Sequence, residues 1–260
     1  MKICNVVLLL VMLLVGFPAI AQTSYEKPLE KWGKDESIRI VNDSAWAKSY
    51  QSTAGQAGAA SSTVAREQAQ TANRGGSDPR SLSRDFGPPP VTMRLHSSEI
   101  VRKATLRLQQ LAADYDKMGS DDKAKYDASR KTYMDCAICK DYYVLTLTKA
   151  PYRQGSGVDE GIFQGMTVAE MKGNVKLVND KGEERELIQF TAPKIAGDSA
   201  LFFFKRVDDG GKTLVTPETK DFRVVFSNTF LDAKNRFAYL LPRSFEFKVS
   251  KMMVGEKLMF

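Results

Sequence analysis

Between residues 51 and 90 the chain reads QSTAGQAGAASSTVAREQAQTANRGGSDPRSLSRDFGPPP, with one valine, one leucine and one phenylalanine among Ala, Ser, Gly, Gln and Pro. So little apolar surface cannot offset the entropy of ordering the backbone. The stretch reads as a flexible linker that ends in a stiff triple proline, Pro88, Pro89 and Pro90. As a random coil its ends would lie roughly 35 Å apart. Folding is thereby confined to a short segment, 22–50, and a long one, 91–260.

The first residues have a different purpose. Lys2 precedes an unbroken apolar run at 6–15, Gly16 and Pro18 interrupt it, and Ala19-Ile20-Ala21 follows. This is the layout of a secretory signal peptide (1–21) cleaved after Ala21. The run is shorter than the ~20 residues of a bilayer span, which favours cleavage over an anchor. Cys4 lies ahead of the run, so it is not a lipoprotein acceptor. No later segment is apolar for long enough to cross a membrane, so the mature chain is expected in the periplasm or outside the cell. Thirty-eight Lys and Arg against 31 Asp and Glu give a net charge of +7, without a long block of one sign. That pattern, together with export, argues against nucleic acid and leaves an unknown protein or a cell-envelope polymer as the expected partner.

Within 22–50, Asp35 and Glu36 suit the first turn of a short helix, with Ile38 and Val41 sharing a face and Asn42-Asp43-Ser44 ending it. From Val91 the chain is globular. VTMRL is strand-like. Val101, Ala104, Leu108, Leu111 and Tyr115, widened by Ile100 and Ala112, trace an amphipathic helix. Ser120, Asp121 and Asp122 open a second helix. YYVLTLT is a strand and VDEGIFQGMTVAEMKG a weak helix or loop. NVKLVND turns at Lys181-Gly182 into RELIQFTAP, and ALFFFKRV is apolar on both faces and therefore central. Asp208-Asp209-Gly210-Gly211 reads as a hairpin turn leading to DFRVVFS. In RSFEFKVSK, Phe245, Phe247 and Val249 alternate with polar residues. Helices at 97–140 followed by strands at 141–260 predict an α+β fold, with an N-terminal helical part packed on a C-terminal antiparallel β-sheet or sandwich.

Cys136 and Cys139 are the only cysteines left after signal-peptide removal. An even pair in an oxidising compartment is expected to form a disulfide. Reactive Cys-x-x-Cys pairs sit at a helix N-terminus, where the dipole lowers the thiol pKa; here the pair closes a helix and precedes a strand, next to Asp135 and Asp141. A staple is favoured over a redox site. Zinc needs four ligands, and the only histidine, His96, leaves the set incomplete. Neither a metal nor a cofactor is expected. Cys136-Ala-Ile-Cys139-Lys140 resembles the lysine-ligated haem motif of multihaem nitrite reductases over five residues, but the further Cys-x-x-Cys-His sites of those enzymes are absent.

No Gly-x-Ser-x-Gly elbow is present. Glu183, Glu184 and Glu186 are candidate acids for a glycosidase but fall in a turn. The loop at 150–161, with Tyr152, Arg153, Asp159 and Glu160, is a candidate site lining. Trp32 and Trp46 are either partner anchors or aromatics packed on the chain's own domain, and the second is preferred. The run EKWGKDESIRIVNDSAWAK resembles the N-terminal segment of uncharacterised secreted proteins of acidobacterial type, which carry a Trp followed by an Asn/Ser-Asp/Ser-Ser-Pro-Trp-Ala signature; Ala45 replaces the usual proline. The resemblance implies an exported bacterial protein and no activity. The closing MMVGEKLMF resembles the last strand of outer-membrane barrels, although a docked tail fits it better. The expected function is a non-enzymatic binding or interaction module. A thiol-disulfide or haem redox protein using Cys136 and Cys139 is the alternative, and a carboxylate-based hydrolase of cell-wall or glycan substrates the third.

Overall fold

The computed structural model describes residues 25, 27–51, 90–149, 163–194, 198–233 and 241–260. The expected signal peptide, nearly all of the expected linker and the loop residues Tyr152, Arg153, Asp159 and Glu160 lie outside the described residues.

Eight strands form one antiparallel sheet: β1 (Ala47–Tyr50), β2 (Val91–Leu95), β3 (Tyr142–Lys149), β4 (Val175–Asn179), β5 (Glu184–Thr191), β6 (Ala200–Lys205), β7 (Asp221–Phe226) and β8 (Ser244–Lys248). Their order is β1-β2-β3-β6-β5-β4-β7-β8, and the two outermost strands approach each other, so the sheet is a nearly closed barrel. The helices are α1 (Lys34–Asn42), α2 (Glu99–Ala112), α3 (Ser120–Asp135), α4 (Val168–Met171) and α5 (Asn228–Ala233).

The expected α+β layering, helical part first and sheet second, is overturned. β1 and β2 precede α2 and α3, and β2 pairs directly with β3 from Val91↔Lys149 to Leu95↔Leu145. The two helices are therefore the connection between adjacent antiparallel strands, not a layer of their own. The boundary drawn after residue 50 also moves. β1 pairs with β2 along its whole length, Ala47↔Arg94 to Tyr50↔Val91, so the segment 27–51 contributes a strand to the same sheet as the rest. Four residues carry too little alternation to declare a strand. A further difference is that β6 and β7 are not neighbours; the Asp208–Gly211 turn closes only the isolated bridge Val207↔Thr213.

Alternation builds the barrel wall. On β8, Phe245 and Phe247 are buried while Glu246 and Lys248 are exposed; Phe222, Val224 and Phe226 do the same on β7. On β5 a register shift between Leu187 and Gln189 makes Leu187 and Phe190 the buried residues and leaves Ile188 at the surface. The β4–β5 turn passes through Gly182 at φ 79°, and the buried Asn179 side chain braces it, accepting from the N–H groups of Lys181 and Glu183. Among the described residues, aromatic side chains pack the barrel interior. Phe163 packs on Phe190, Phe202, Phe226 and Phe230 at 5.5–6.2 Å between ring centroids, and Phe222 stacks on Phe247 at 5.1 Å. An eight-stranded barrel is narrow enough for side chains to fill it.

The N-terminal segment completes this core. Trp32 and Trp46 are 1% and 0% exposed. Neither is free to anchor a partner: both pack in the core with Ile40, Val41, Ile100 and Ala104. In α1 the inward residues are Ser37, Ile40 and Val41, and Ile38, expected on that face, is exposed. Arg94 donates to the Val41 carbonyl and, at 2.9 Å, to Asn42 Oδ1, capping the end of α1.

The last residues fold back over Trp46 as a small hairpin, Met253–Val254 with Lys257–Leu258. Trp46 Nε1 donates to Met259 O at 2.6 Å and Ser98 Oγ to the same oxygen at 3.0 Å. Phe260 lies 5.6 Å from the Tyr143 ring and 4.9 Å from the Arg206 guanidinium. We predict that Trp46→Ala destabilises the fold by about 3–5 kcal/mol, measured by urea unfolding. A loss below about 1 kcal/mol would show that the segment is dispensable to the barrel.

Candidate functional site

Helix α2 is buried along two stripes. Ile100, Val101 and Ala104 face the core, as their spacing requires. Arg102, Leu106 and Gln110, each four residues from the next, are buried as well, towards α3. Leu111, expected in the core stripe, is half-buried, and Ala112, expected to widen it, is exposed. The second stripe escapes a hydrophobicity reading because two of its three members are polar.

No residue of α3 is buried. The helix is secured at its middle and at its C-terminal end. Tyr115 Oη donates to Asp127 Oδ2 at 2.7 Å, and its ring meets that of Tyr126 edge-on at 5.3 Å. Burial, reinforced by Asp127, pushes the Tyr115 hydroxyl up to about 12, so it remains a donor at neutral pH. At the C-terminal end, Arg102 holds the Met134 carbonyl, and Cys136 terminates the helix in the left-handed region at φ 40°.

Between α2, α3 and the 3₁₀ turn Leu29–Lys31 lies an open groove of about 460 Å³. Leu29, Leu106 and Met134 give it an apolar lining, and Glu30, Asp127, Arg130, Lys131 and Asp135 a charged one. Arg107 positions the turn: its Nε donates to Trp32 O at 3.0 Å and its Nη2 to Glu30 O at 3.2 Å, while Asp116 takes a two-pronged ion pair at 2.8 Å. Two polar atoms of residues lining the groove have no partner: Gln110 Oε1, on a residue only 3% exposed, and Arg130 Nε, whose guanidinium lies over the Tyr126 ring at 5.3 Å.

Beyond the end of α3, Cys136 and Cys139 are joined in a disulfide. They pack with Val144 and Phe203 in a second apolar cluster, on the face of β3 and β6 opposite Tyr143, Phe202 and Phe204. This is why ALFFFK is apolar on both faces. Two arginines, Arg102 buried and Arg206 half-buried, hold the turn. Arg102 Nη1 donates to Ser97 O at 2.8 Å and His96 O at 3.0 Å and lies 3.6 Å from Cys139 Sγ. Arg206 Nε donates to Cys139 O at 2.9 Å. With both sulfurs in the disulfide, neither is available for a thioether link to haem, and Lys140 is exposed.

His96 lies against the Tyr133 ring at 5.3 Å. Burial, then the nearby Arg102 charge, pushes its imidazole down to about 4, so it is neutral at physiological pH. The glutamates considered as hydrolytic acids are not gathered. Glu183 pairs with Lys212, Glu184 with Lys176 at 2.7 Å, and Glu186 is exposed. Among the described residues no group of three or more His, Cys, Asp and Glu could hold a metal, and no helix is long and apolar enough to cross a membrane. No family model, curated protein or solved structure matches the chain.

Two predictions follow from the disulfide corner. Truncating Arg102 to Met strands several buried carbonyls and is expected to cost at least about 3 kcal/mol. Replacing both cysteines with serine opens a very short loop and should cost about 2 kcal/mol or less; urea unfolding ranks the two. The second prediction concerns pH. His96 titrates near 4 when folded and near 6.5 when unfolded, so the unfolded chain binds the extra proton between those values. The His96 contribution is complete above pH 6.5 and is lost as pH falls towards 4, by up to about 3 kcal/mol. His96→Asn should flatten that part of the stability–pH curve, read from unfolding series between pH 4 and 7.

Proposed function

We propose that the protein is an exported, non-enzymatic binding module that takes its ligand in the groove between α2 and α3. The observation that carries this reading is the convergence on that groove of side chains from separate elements, including a buried acceptor without a partner. The filled barrel interior favours the groove over a lumen site. Export is supported by the order of Lys2, the apolar run at 6–15 and Ala19-Ile20-Ala21. The resemblance of residues 30–48 to exported acidobacterial-type proteins points the same way. The test is a thermal-shift and mass-spectrometric screen of the mature protein against cell-envelope peptides and oligosaccharides. A ligand at a hundred times its Kd should stabilise the fold by about 2.7 kcal/mol without being consumed. Turnover of any member into a new product overturns the non-enzymatic reading.

A second reading is favoured by one observation, the Arg102 guanidinium beside Cys139 Sγ. A cation at that distance favours a thiolate once the disulfide is reduced, against the effect of the helix end. Thiol-disulfide exchange through Cys139 then requires that the reduced protein alkylate at Cys139 with a pKa below that of a free thiol, and that Arg102→Lys keep that value lower than Arg102→Met does. Equal alkylation profiles for the two variants sink it.

A further inference from the structure

We infer that the α2–α3 groove binds a peptide-type amide that carries an apolar side chain, with Gln110 Oε1 accepting from the amide N–H and Arg130 Nε–H donating to its carbonyl. The inference rests on the binding-module reading of the same groove and gives it a ligand chemistry.

The two unpartnered atoms are complementary in kind. Gln110 Oε1 is an acceptor without a donor, and Arg130 Nε is a donor without an acceptor. They belong to the two helices that form the groove's walls. A buried polar atom left unpaired loses its hydration with nothing in return, so each is a standing cost in the free protein. Tyr115, Asp127 and Lys131, also in the lining, already have partners within the chain: Tyr115 with Asp127, and Lys131 with Asp135 at 2.6 Å.

The remaining lining excludes other ligand classes. A carboxylate would suit Arg130 but has no proton for Gln110 Oε1, and a carboxylate or a phosphate would meet the charges of Glu30, Asp127 and Asp135. A simple cation has no use for the Arg130 N–H. A sugar hydroxyl can donate and accept, but it carries no apolar group to bury against Leu29, Leu106 and Met134. A secondary amide with a leucine-like side chain meets all three demands: one N–H, one carbonyl and one apolar branch. Met134, unbranched and polarisable, suits side chains of varied shape. Both atoms are closed to solvent in the free protein, so the ligand reaches them by a small outward shift of α3, which has no buried residue of its own to hold it down.

The test uses the ¹⁵N-labelled protein and two probes. N-methylisovaleramide offers the isobutyl group, the carbonyl and one N–H. N,N-dimethylisovaleramide differs only in lacking the N–H. The first should give saturable shifts of the Leu106, Gln110 and Met134 amides, and the second should bind about tenfold more weakly, because it leaves Gln110 Oε1 unpaired. Gln110→Leu should reduce the affinity for the first probe to the level of the second, without lowering Tm. Arg130→Met should weaken both probes alike. Equal, saturable binding of the two probes by the unaltered protein overturns the amide assignment while leaving the groove as a binding site. The same holds if Gln110→Leu binds the first probe as the parent does. No saturable shift from either probe overturns the groove as a site altogether. The two-probe comparison needs no variant, so a misfolded Gln110→Leu chain would not blunt it.

Discussion

The Arg102 guanidinium is the point at which the parts of this molecule are joined. It is 6% exposed and has no carboxylate in hydrogen-bonding contact; it spends its donors on the carbonyls of His96 and Ser97 just after β2 and of Met134 at the end of α3, and it approaches the Cys139 sulfur. A guanidinium stays protonated in proteins, so the site must satisfy it by hydrogen bonds instead of discharging it. The requirement fixes where β2 stops, where α2 begins and where α3 ends. The disulfide and Arg206 then hold the same corner from the β3–β6 side.

Much of the wall was legible from spacing alone. Two-residue alternation marks β7 and β8, a double-faced apolar run marks β6 as interior, and a three-four stripe marks α2. These signals are local, and local burial produces them. Three features were not legible. The pairing of β2 with β3 across 46 intervening residues is a matter of topology, and no residue in either strand encodes its neighbour. β1 is too short to alternate, so its membership in the sheet emerges only when Trp46 is seen buried and pairing with β2 is seen. The stripe Arg102–Leu106–Gln110 counts as surface on any hydrophobicity scale, because its polar members are buried by partners or by an opening and not by apolar character.

The same distinction applies to the groove. α3 is built largely of polar and charged residues, and its amphipathic signal is weak for a physical reason: it buries no side chain of its own. Its hold on the molecule comes from an aromatic pair and one tyrosine–carboxylate hydrogen bond at its middle, and from the disulfide corner at its C-terminal end. A helix held at a few points and not along its length preserves a concavity that close packing would otherwise fill. Gln110 and Arg130 can remain unpaired only because of that arrangement.

The hydrogen bond from Trp46 to Met259 spans 213 positions of the chain. It joins the residue just ahead of β1 to the hairpin after β8, so the hydrophobic cap over Trp46 does not exist until residues 253–260 are available. A growing chain emerging in order from a ribosome or a translocation channel would hold its early aromatic residues exposed until the closing hairpin arrives. Such high-separation contacts slow folding and prolong the exposure of apolar surface. Loss of Met259 and Phe260 would leave an indole N–H, sealed in the finished fold, without its acceptor.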